Sequence, residues 1–120
     1  MYESFDRTVP VFLQIRDRLK SDILNSVYKP GDQIPSVRQI ALDMSVNPNT
    51  VQRALFLLEE DGLIVTEGTT GKFVTTDVEK IVRCKREIQE EMLNLWLNRI
   101  HSLGITNEDI IEFIERGTLK

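Results

Sequence analysis

The chain of 120 residues has little cysteine and little histidine, with one of each. Cys84 cannot close an internal disulfide, and His101 cannot complete a Cys/His cluster of the kind that binds zinc. The sequence also lacks an apolar run of about 18 residues, the length that a membrane helix requires. Residues 1–10 carry charges where a signal peptide would be apolar. We therefore expect a cytoplasmic protein without metal, cofactor or membrane contact.

An excess of positive charge is absent as well. The chain has 15 basic and 19 acidic residues and a net charge of −4, which argues against a nucleic-acid partner held by bulk charge. Phosphate contacts act locally, however, because salt screens charges over about a nanometre. Between Val46 and Leu58 the sequence has Arg53 and no acidic residue. Because the net charge is negative, we expect weak non-specific affinity for DNA. The specificity of a DNA-binding segment at 46–58 would then come from base contacts and dimer geometry.

The first part of the chain has the pattern of two helices. Apolar residues spaced mainly by threes and fours run from Val11 to Val27, directly after Pro10, and indicate an amphipathic helix. A second, short helix is predicted from about Pro35 to Met44, with its apolar residues turned inward.

A third helix has the clearest local start signal of the chain. Asn47 suits the N-cap, and Pro48 suits the first helical position, where its missing N–H costs nothing. Gly62 ends this helix. Two β strands are then predicted at 63–66 and 72–76, with a hairpin tip between them. Three helices followed by a two-stranded ribbon are the order of a winged helix-turn-helix.

A tail of two helices is predicted after Asp77, which suits an N-cap. An apolar stripe at helical spacing continues to Gly104, and the segment 106–109 is similar to a capping box that opens a short helix. A long and a short helix cannot enclose a core of their own, so part of the stripe must pack on the winged domain or on a second copy. The residues expected at a dimer contact are Ile88, Met92, Leu95, Trp96 and Ile100.

Four segments together resemble a known family. They read VPVFLQI at 9–15, KPGDQIPSVR at 29–38, VNPNTVQRAL at 46–55 and LEEDGLI at 58–64. These segments are similar to the DNA-binding domain of GntR-family bacterial transcription regulators, and the NPNTV string with a short tail is similar to the YtrA subfamily. The resemblance implies a mainly α fold with a small β hairpin: a winged helix-turn-helix domain at 1–77 and a two-helix dimerisation tail at 78–120.

The resemblance also implies a function. The protein would be a homodimeric regulator of transcription, most often a repressor, that binds double-stranded DNA at an inverted-repeat operator. It would not be an enzyme, and the genes that such regulators control often encode ABC-type transporters. The resemblance leaves open whether a small-molecule effector exists. Because the tail offers little room for a cavity of roughly a few hundred cubic ångströms, an effector pocket is expected only between subunits or domains.

The DNA contacts are expected where the family's motif residues fall. The resemblance implies a contact for Arg38, and Asn and Gln side chains in the third helix can pair with adenine while Arg suits guanine. The free N–H groups of that helix's first turn also favour a phosphate. The candidates are Ser36, Arg38, Asn47, Asn49, Thr50, Gln52, Arg53, Gly71 and Lys72.

Structural alternatives stand beside several of these contacts. Arg53 would either bind phosphate or pair with an acid on a neighbouring helix. Asn49 and Thr50 would either read bases or merely complete a well-capped first turn. Lys72 would either contact phosphate or remain an ordinary exposed side chain.

Two positions depart from the family pattern. The wing of many relatives reads Gly-x-Gly-Thr-Phe-Val, whereas this chain has Thr69 in place of the first glycine and Lys72 in place of the threonine, which leaves a close approach of the wing to the minor groove open. Ser45 stands where relatives often have glycine, and it is strained if the position requires positive φ.

Two rival functions follow from the same residues. The third helix would serve a protein partner if large apolar side chains pointed outward, and only Phe56 and Leu57 qualify. A small enzyme would need a nucleophile–base pair, a metal set or a glycine-rich phosphate loop, and the sequence has none of these.

Overall fold

The computed structural model describes residues 5–117. Within them lie five helices and one hairpin, in the predicted order. The helices are α1 (Val11–Leu24), α2 (Val37–Met44), α3 (Pro48–Glu60), α4 (Val78–Ser102) and α5 (Asn107–Glu115), and the strands are β1 (Ile64–Glu67) and β2 (Gly71–Val74). The winged helix-turn-helix followed by two helices is therefore confirmed. No helix between residues 5 and 117 has both the length and the apolar character needed to cross a membrane.

The chain divides into two compact units between Cys84 and Lys85. The first turns of α4 belong to the N-terminal unit, in which Ile81 is buried. The compact N-terminal unit thus extends past the start of α4, whereas the boundary predicted from the sequence lies between residues 77 and 78.

The core of the N-terminal unit lies among α1, α2, α3 and the hairpin. Its largest fully buried side chains come from α1, α3, both strands and the turn before β1: Ile15, Leu19, Val51, Leu55, Leu58, Leu63, Ile64 and Val74. Removing these apolar groups from water is the main favourable contribution to folding of the unit.

The wing is the antiparallel pair of β1 and β2, with Ile64 opposite Val74 and Thr66 opposite Lys72. The segment before α2 is joined to it, because Ile34 N donates to Lys72 O at 3.0 Å. The wing is therefore held to the segment that leads into α2.

Several predicted boundaries shift by one to three residues, including both ends of each strand. The second helix begins at Val37 and not at Pro35, because Ser36 is its N-cap and its side chain accepts from Gln39 N at 3.1 Å. Val27 lies beyond the end of α1 and is 63% exposed. The second strand ends at Val74, since the hydroxyl of the following threonine accepts from Asp77 N and turns the chain toward α4.

The predicted caps of the tail helices are confirmed. Asp77 Oδ1 accepts from Lys80 N at 3.1 Å at the start of α4. At α5, Thr106 Oγ1 accepts from Asp109 N at 3.1 Å and Asp109 Oδ2 accepts from Thr106 N at 2.9 Å, which completes the capping box. The pKa of Asp109 is lowered by the hydrogen bond that its carboxylate accepts from the backbone N–H of Thr106, and further by the Thr106 hydroxyl.

Candidate DNA-binding site

The turn between α2 and α3 depends on a left-handed residue. Ser45 has φ 56° and ψ 49°, and Val46 N donates to Ala41 O at 3.0 Å to close the end of α2. The positive φ considered for this position is therefore present. A residue with a side chain is destabilised by about 1–2 kcal/mol in this left-handed conformation.

The first turn of α3 is closed by its own backbone and cap. Asn47 Oδ1 accepts from Asn49 N at 2.8 Å, and Asn47 O accepts from Thr50 N at 3.0 Å and from Val51 N at 3.3 Å. Pro48 has no N–H to offer. The expectation of free N–H groups for a phosphate is therefore wrong, and recognition at this turn falls to side chains.

One face of α3 points to solvent. Asn49, Gln52, Arg53 and Phe56 follow each other at helical spacing and are exposed, whereas Thr50 is half-buried. The opposite face carries the buried residues Val51, Ala54, Leu55 and Leu58. The exposed face has two amide side chains and one guanidinium, a set suited to base edges in the major groove.

Arg53 has a contact that the sequence did not suggest. Its guanidinium carbon lies 3.9 Å from the centroid of the Phe12 ring on α1, a cation–π contact. It forms no ion pair with another described residue, so the predicted pairing with an acid on a neighbouring helix is wrong, whereas the phosphate contact stays a prediction. The N–H edge of the stacked guanidinium remains suited to a base or a phosphate.

A shallow groove of about 500 Å³ runs beside Arg53, lined by Phe12, Gln52, Arg53, Phe56 and Leu57. Phe56 is 59% exposed, while Leu57 is half-buried. Phe56 is thus an outward apolar side chain on α3, next to the polar residues.

Arg38 and Ser36 lie at the start of α2. The Ser36 hydroxyl is engaged as the N-cap acceptor. Arg38 is exposed and forms no ion pair with another residue of 5–117, so its charge is available to an external anion.

The wing lysine has a partner inside the protein. Lys72 Nζ lies 2.6 Å from Glu59 Oε1, near the end of α3, and donates to Thr66 Oγ1 at 2.8 Å. The Lys72 ammonium is the main cause of a lowered pKa of Glu59. Neither alternative predicted for Lys72 included this ion pair. The only sequence signal for these contacts was the position of a basic residue across the predicted hairpin from a threonine.

The glycine of the wing is required by its own surroundings. Gly71 has φ +134°, and a Cβ there would lie 2.6 Å from Gln33 Nε2, which donates to Thr70 O at 2.9 Å. Gln33 was not among the predicted site residues. Thr69, which replaces the first glycine of the family's wing pattern, is not among the described residues with positive φ. The threonine therefore introduces no left-handed backbone strain.

The C-terminal unit presents an apolar surface. Met92, Leu95 and Trp96 are 57%, 65% and 58% exposed, while Ile88 and Ile100 are half-buried. An open groove of about 430 Å³ in the same unit is lined by Ile100, Ile105, Asp109, Ile110, Glu112, Phe113 and Arg116. Because this groove is open and is not an enclosed cavity, the expectation that the tail offers little room for a ligand cavity stays a prediction. Among the described residues, no cluster of His, Cys, Asp or Glu could hold a metal ion.

Comparisons with known proteins agree with this architecture. The profile of bacterial regulatory proteins of the gntR family matches residues 12–74. The chain is 32% identical over 118 residues to the uncharacterized HTH-type transcriptional regulator YhcF of Bacillus subtilis, covering 98% of both proteins. It is 32% identical over 109 residues to the HTH-type transcriptional repressor YtrA of the same organism, covering 90% of this chain and 84% of that relative.

A solved structure gives the same result. The GntR family transcriptional regulator from Listeria monocytogenes is 34% identical, with a TM-score of 0.86 that covers 93% of this chain and 98% of that one. The winged helix-turn-helix, the family profile and these nearly full-length relatives lead to one conclusion. The chain belongs to the GntR family of bacterial regulatory proteins and is a short, YtrA-like, DNA-binding transcription regulator, not an enzyme.

Proposed function

We propose that the protein is a homodimeric repressor that binds an inverted-repeat operator through α3. The observation that carries this proposal is the exposed face of α3, where Asn49, Gln52 and Arg53 stand together in a segment without acidic residues. A well-formed bidentate pair between such a side chain and a base discriminates by about 1–3 kcal/mol. The repressor role is taken from YtrA, whose name states repression.

The candidate residues divide into base readers and phosphate contacts. Asn49, Thr50, Gln52 and Arg53 are proposed to face the bases. Asn47 keeps its amide NH₂ as a donor, because only its carbonyl oxygen is engaged in the cap. Arg38, with Ser36 beside it, is proposed to fix the register on the phosphate backbone, and Gly71 and Lys72 to bring the wing to the duplex.

The dimer is proposed to form through the apolar surface of the C-terminal unit. Large side chains that are more than half exposed, such as Trp96 and Leu95, favour burial against a second copy. A two-fold dimer reads two half-sites about 10 base pairs apart, or a multiple of this spacing. Chromosomal DNA near transporter genes, in the cytoplasm, is the proposed target.

Selection of duplexes from a random-sequence pool by the full-length protein tests the proposal. We expect enrichment of an inverted repeat with half-site centres about 10 base pairs apart or a multiple of that distance. Enrichment of a single unpaired half-site, or no enrichment, would overturn it. In analytical ultracentrifugation at micromolar concentration the protein should sediment as a dimer.

Two alanine variants then separate the proposed roles on the selected duplex and on a shuffled duplex. Asn49→Ala should cost roughly 1–3 kcal/mol per half-site on the selected duplex and little on the shuffled one. Arg38→Ala should weaken both and reduce the slope of log affinity against log salt by about one per half-site. Arg83→Ala, which removes the same charge from α4, is the matched control and should leave the slope unchanged. If Asn49→Ala weakens both duplexes equally, the proposed placement of α3 is wrong.

A further inference from the structure

Glu59, Lys72 and Thr66 form a closed set of contacts between the end of α3 and both strands of the wing. Glu59 Oε1 lies 2.6 Å from Lys72 Nζ, and Glu59 Oε2 accepts from Thr66 Oγ1 at 2.9 Å. Lys72 Nζ also donates to Thr66 Oγ1 at 2.8 Å. Each side chain of the set therefore contacts the other two.

The contacts of this cluster occupy the ammonium group of Lys72 on the wing. The side chains of Lys72 and Glu59 are only 25% and 32% exposed, so water screens their attraction less than it screens a fully exposed pair. Arg38, in contrast, is exposed and unpaired among the described residues. The two cations thus differ in their availability to phosphate.

A DNA phosphate and the Glu59 carboxylate are both oxyanions, and they compete for the same ammonium group. A phosphate that takes Lys72 must first break the Glu59 contact, and it then leaves a carboxylate near the duplex. Both effects oppose binding.

We propose that Glu59 limits DNA affinity by holding Lys72 away from phosphate, so that the wing contributes little sequence-independent attraction. This inference rests on the proposed function, in which the wing approaches the duplex, and it refines the role given there to Lys72, whose ammonium group contacts phosphate only when Glu59 releases it. Glu59 thereby favours specificity. It weakens the contact between Lys72 and phosphate, which is common to all DNA sequences, so a larger share of the binding free energy comes from the base readers on α3.

The test uses the full-length protein and four variants: Glu59→Gln, Glu60→Gln, Lys72→Met and the double variant Glu59→Gln/Lys72→Met. Glu60 is the matched control, because it is the neighbouring exposed acid in the same helix and is outside the cluster. Its substitution removes the same charge without releasing Lys72. Fluorescence anisotropy with a labelled 30-base-pair shuffled duplex measures affinity at several salt concentrations from about 50 to 200 mM.

Glu59→Gln should bind the shuffled duplex more tightly than the unsubstituted protein, with a salt slope steeper by about 0.9 for each Lys72 that gains a phosphate. Its advantage over the unsubstituted protein should therefore shrink by about threefold per bound protomer between 50 and 200 mM salt. Glu60→Gln should show a smaller gain without this change in slope. The double variant should lose the extra slope, because the released cation is absent.

Equal effects of Glu59→Gln and Glu60→Gln, or an extra slope that survives in the double variant, would overturn the inference. Weaker binding by Glu59→Gln would also overturn it, because Glu59 would then hold the wing in a productive position. Circular dichroism of each variant shows whether the fold is kept. Failure of the proposed function is separate: it would appear as no enriched operator for the unsubstituted protein, whereas the shuffled duplex still measures the release of Lys72.

Discussion

Replacing Gly71 by alanine probes why the wing needs a glycine. The residue has φ +134°, which L side chains rarely adopt, and the added Cβ would lie 2.6 Å from Gln33 Nε2. Gln33 can move aside, because the contacted atom is the end of a flexible side chain. It would then give up its hydrogen bond to Thr70 O, which measures 2.9 Å.

The expected cost is the sum of two effects. A residue forced into a sparsely populated backbone region costs about 1–3 kcal/mol, and loss of one exposed hydrogen bond costs about 0.5–1.5 kcal/mol. The smaller conformational entropy of alanine in the unfolded chain returns about 0.4–1 kcal/mol. Gly71→Ala should therefore lower the free energy of unfolding by roughly 0.5–4 kcal/mol.

Gly68→Ala is the matched control in the same hairpin. Gly68 has φ +52° with no atom within 4 Å of an added Cβ, so only the left-handed penalty of about 1–2 kcal/mol applies, less the same entropic return. Urea unfolding followed by far-ultraviolet circular dichroism, at one fixed protein concentration, measures both variants.

The double variant Gln33→Ala/Gly71→Ala separates the two effects. It should be no less stable than Gly71→Ala alone, because both substitutions remove the same hydrogen bond and the contact is relieved. If Gly71→Ala costs no more than Gly68→Ala, the close approach of Gln33 has no energetic weight. If the double variant loses the sum of the two single effects, Gln33 and Gly71 act independently.

Three further predictions concern the tail, the turn and the wing. Trp96→Asp should shift the protein toward monomer in sedimentation equilibrium, because a charge would be buried without a partner; an unchanged dimer would remove Trp96 from the interface. Ser45→Gly should raise the midpoint of thermal unfolding by relieving about 1 kcal/mol of left-handed strain, and Ser45→Ala should not; equal midpoints for both would contradict that strain. The pKa of Glu59 is lowered from its ordinary 4.5, chiefly by Lys72, so the pair stabilises the fold above about pH 4.5 and this contribution is lost as the pH falls through the lowered pKa. Glu59→Gln should thus be about 0.2–1 kcal/mol less stable than the unsubstituted protein at neutral pH and equal to it in acid, whereas a difference that stays constant in urea unfolding from pH 7 to pH 3 would exclude the pair as its source.

Local signals made most of the fold predictable. Asn47 and Pro48 begin α3 because an N-cap oxygen and a preset φ act within one turn, and the capping box at Thr106 acts over three residues. These effects are present in the sequence itself, which is why the helix starts were predicted to within two residues.

The contacts that lie far apart in the sequence were not predictable in this way. Gln33 and Thr70 are 37 residues apart, and Lys72 and Glu59 are 13 apart. Arg53 stacks on Phe12 only because α1 packs against α3. Each of these pairs depends on how complete elements pack, so the residue types could be recognised without their partners.

The self-contained first turn of α3 has a consequence for how such regulators diverge. Its backbone donors are bonded within the turn, and its buried side chains are separate from the exposed Asn49, Gln52 and Arg53. In the proposed function these three side chains face the bases, so codon changes at their positions would alter the preferred operator while the fold remains intact. After gene duplication, two copies in one cell could lose cross-talk by exchanging a few surface side chains, with the scaffold inherited unchanged.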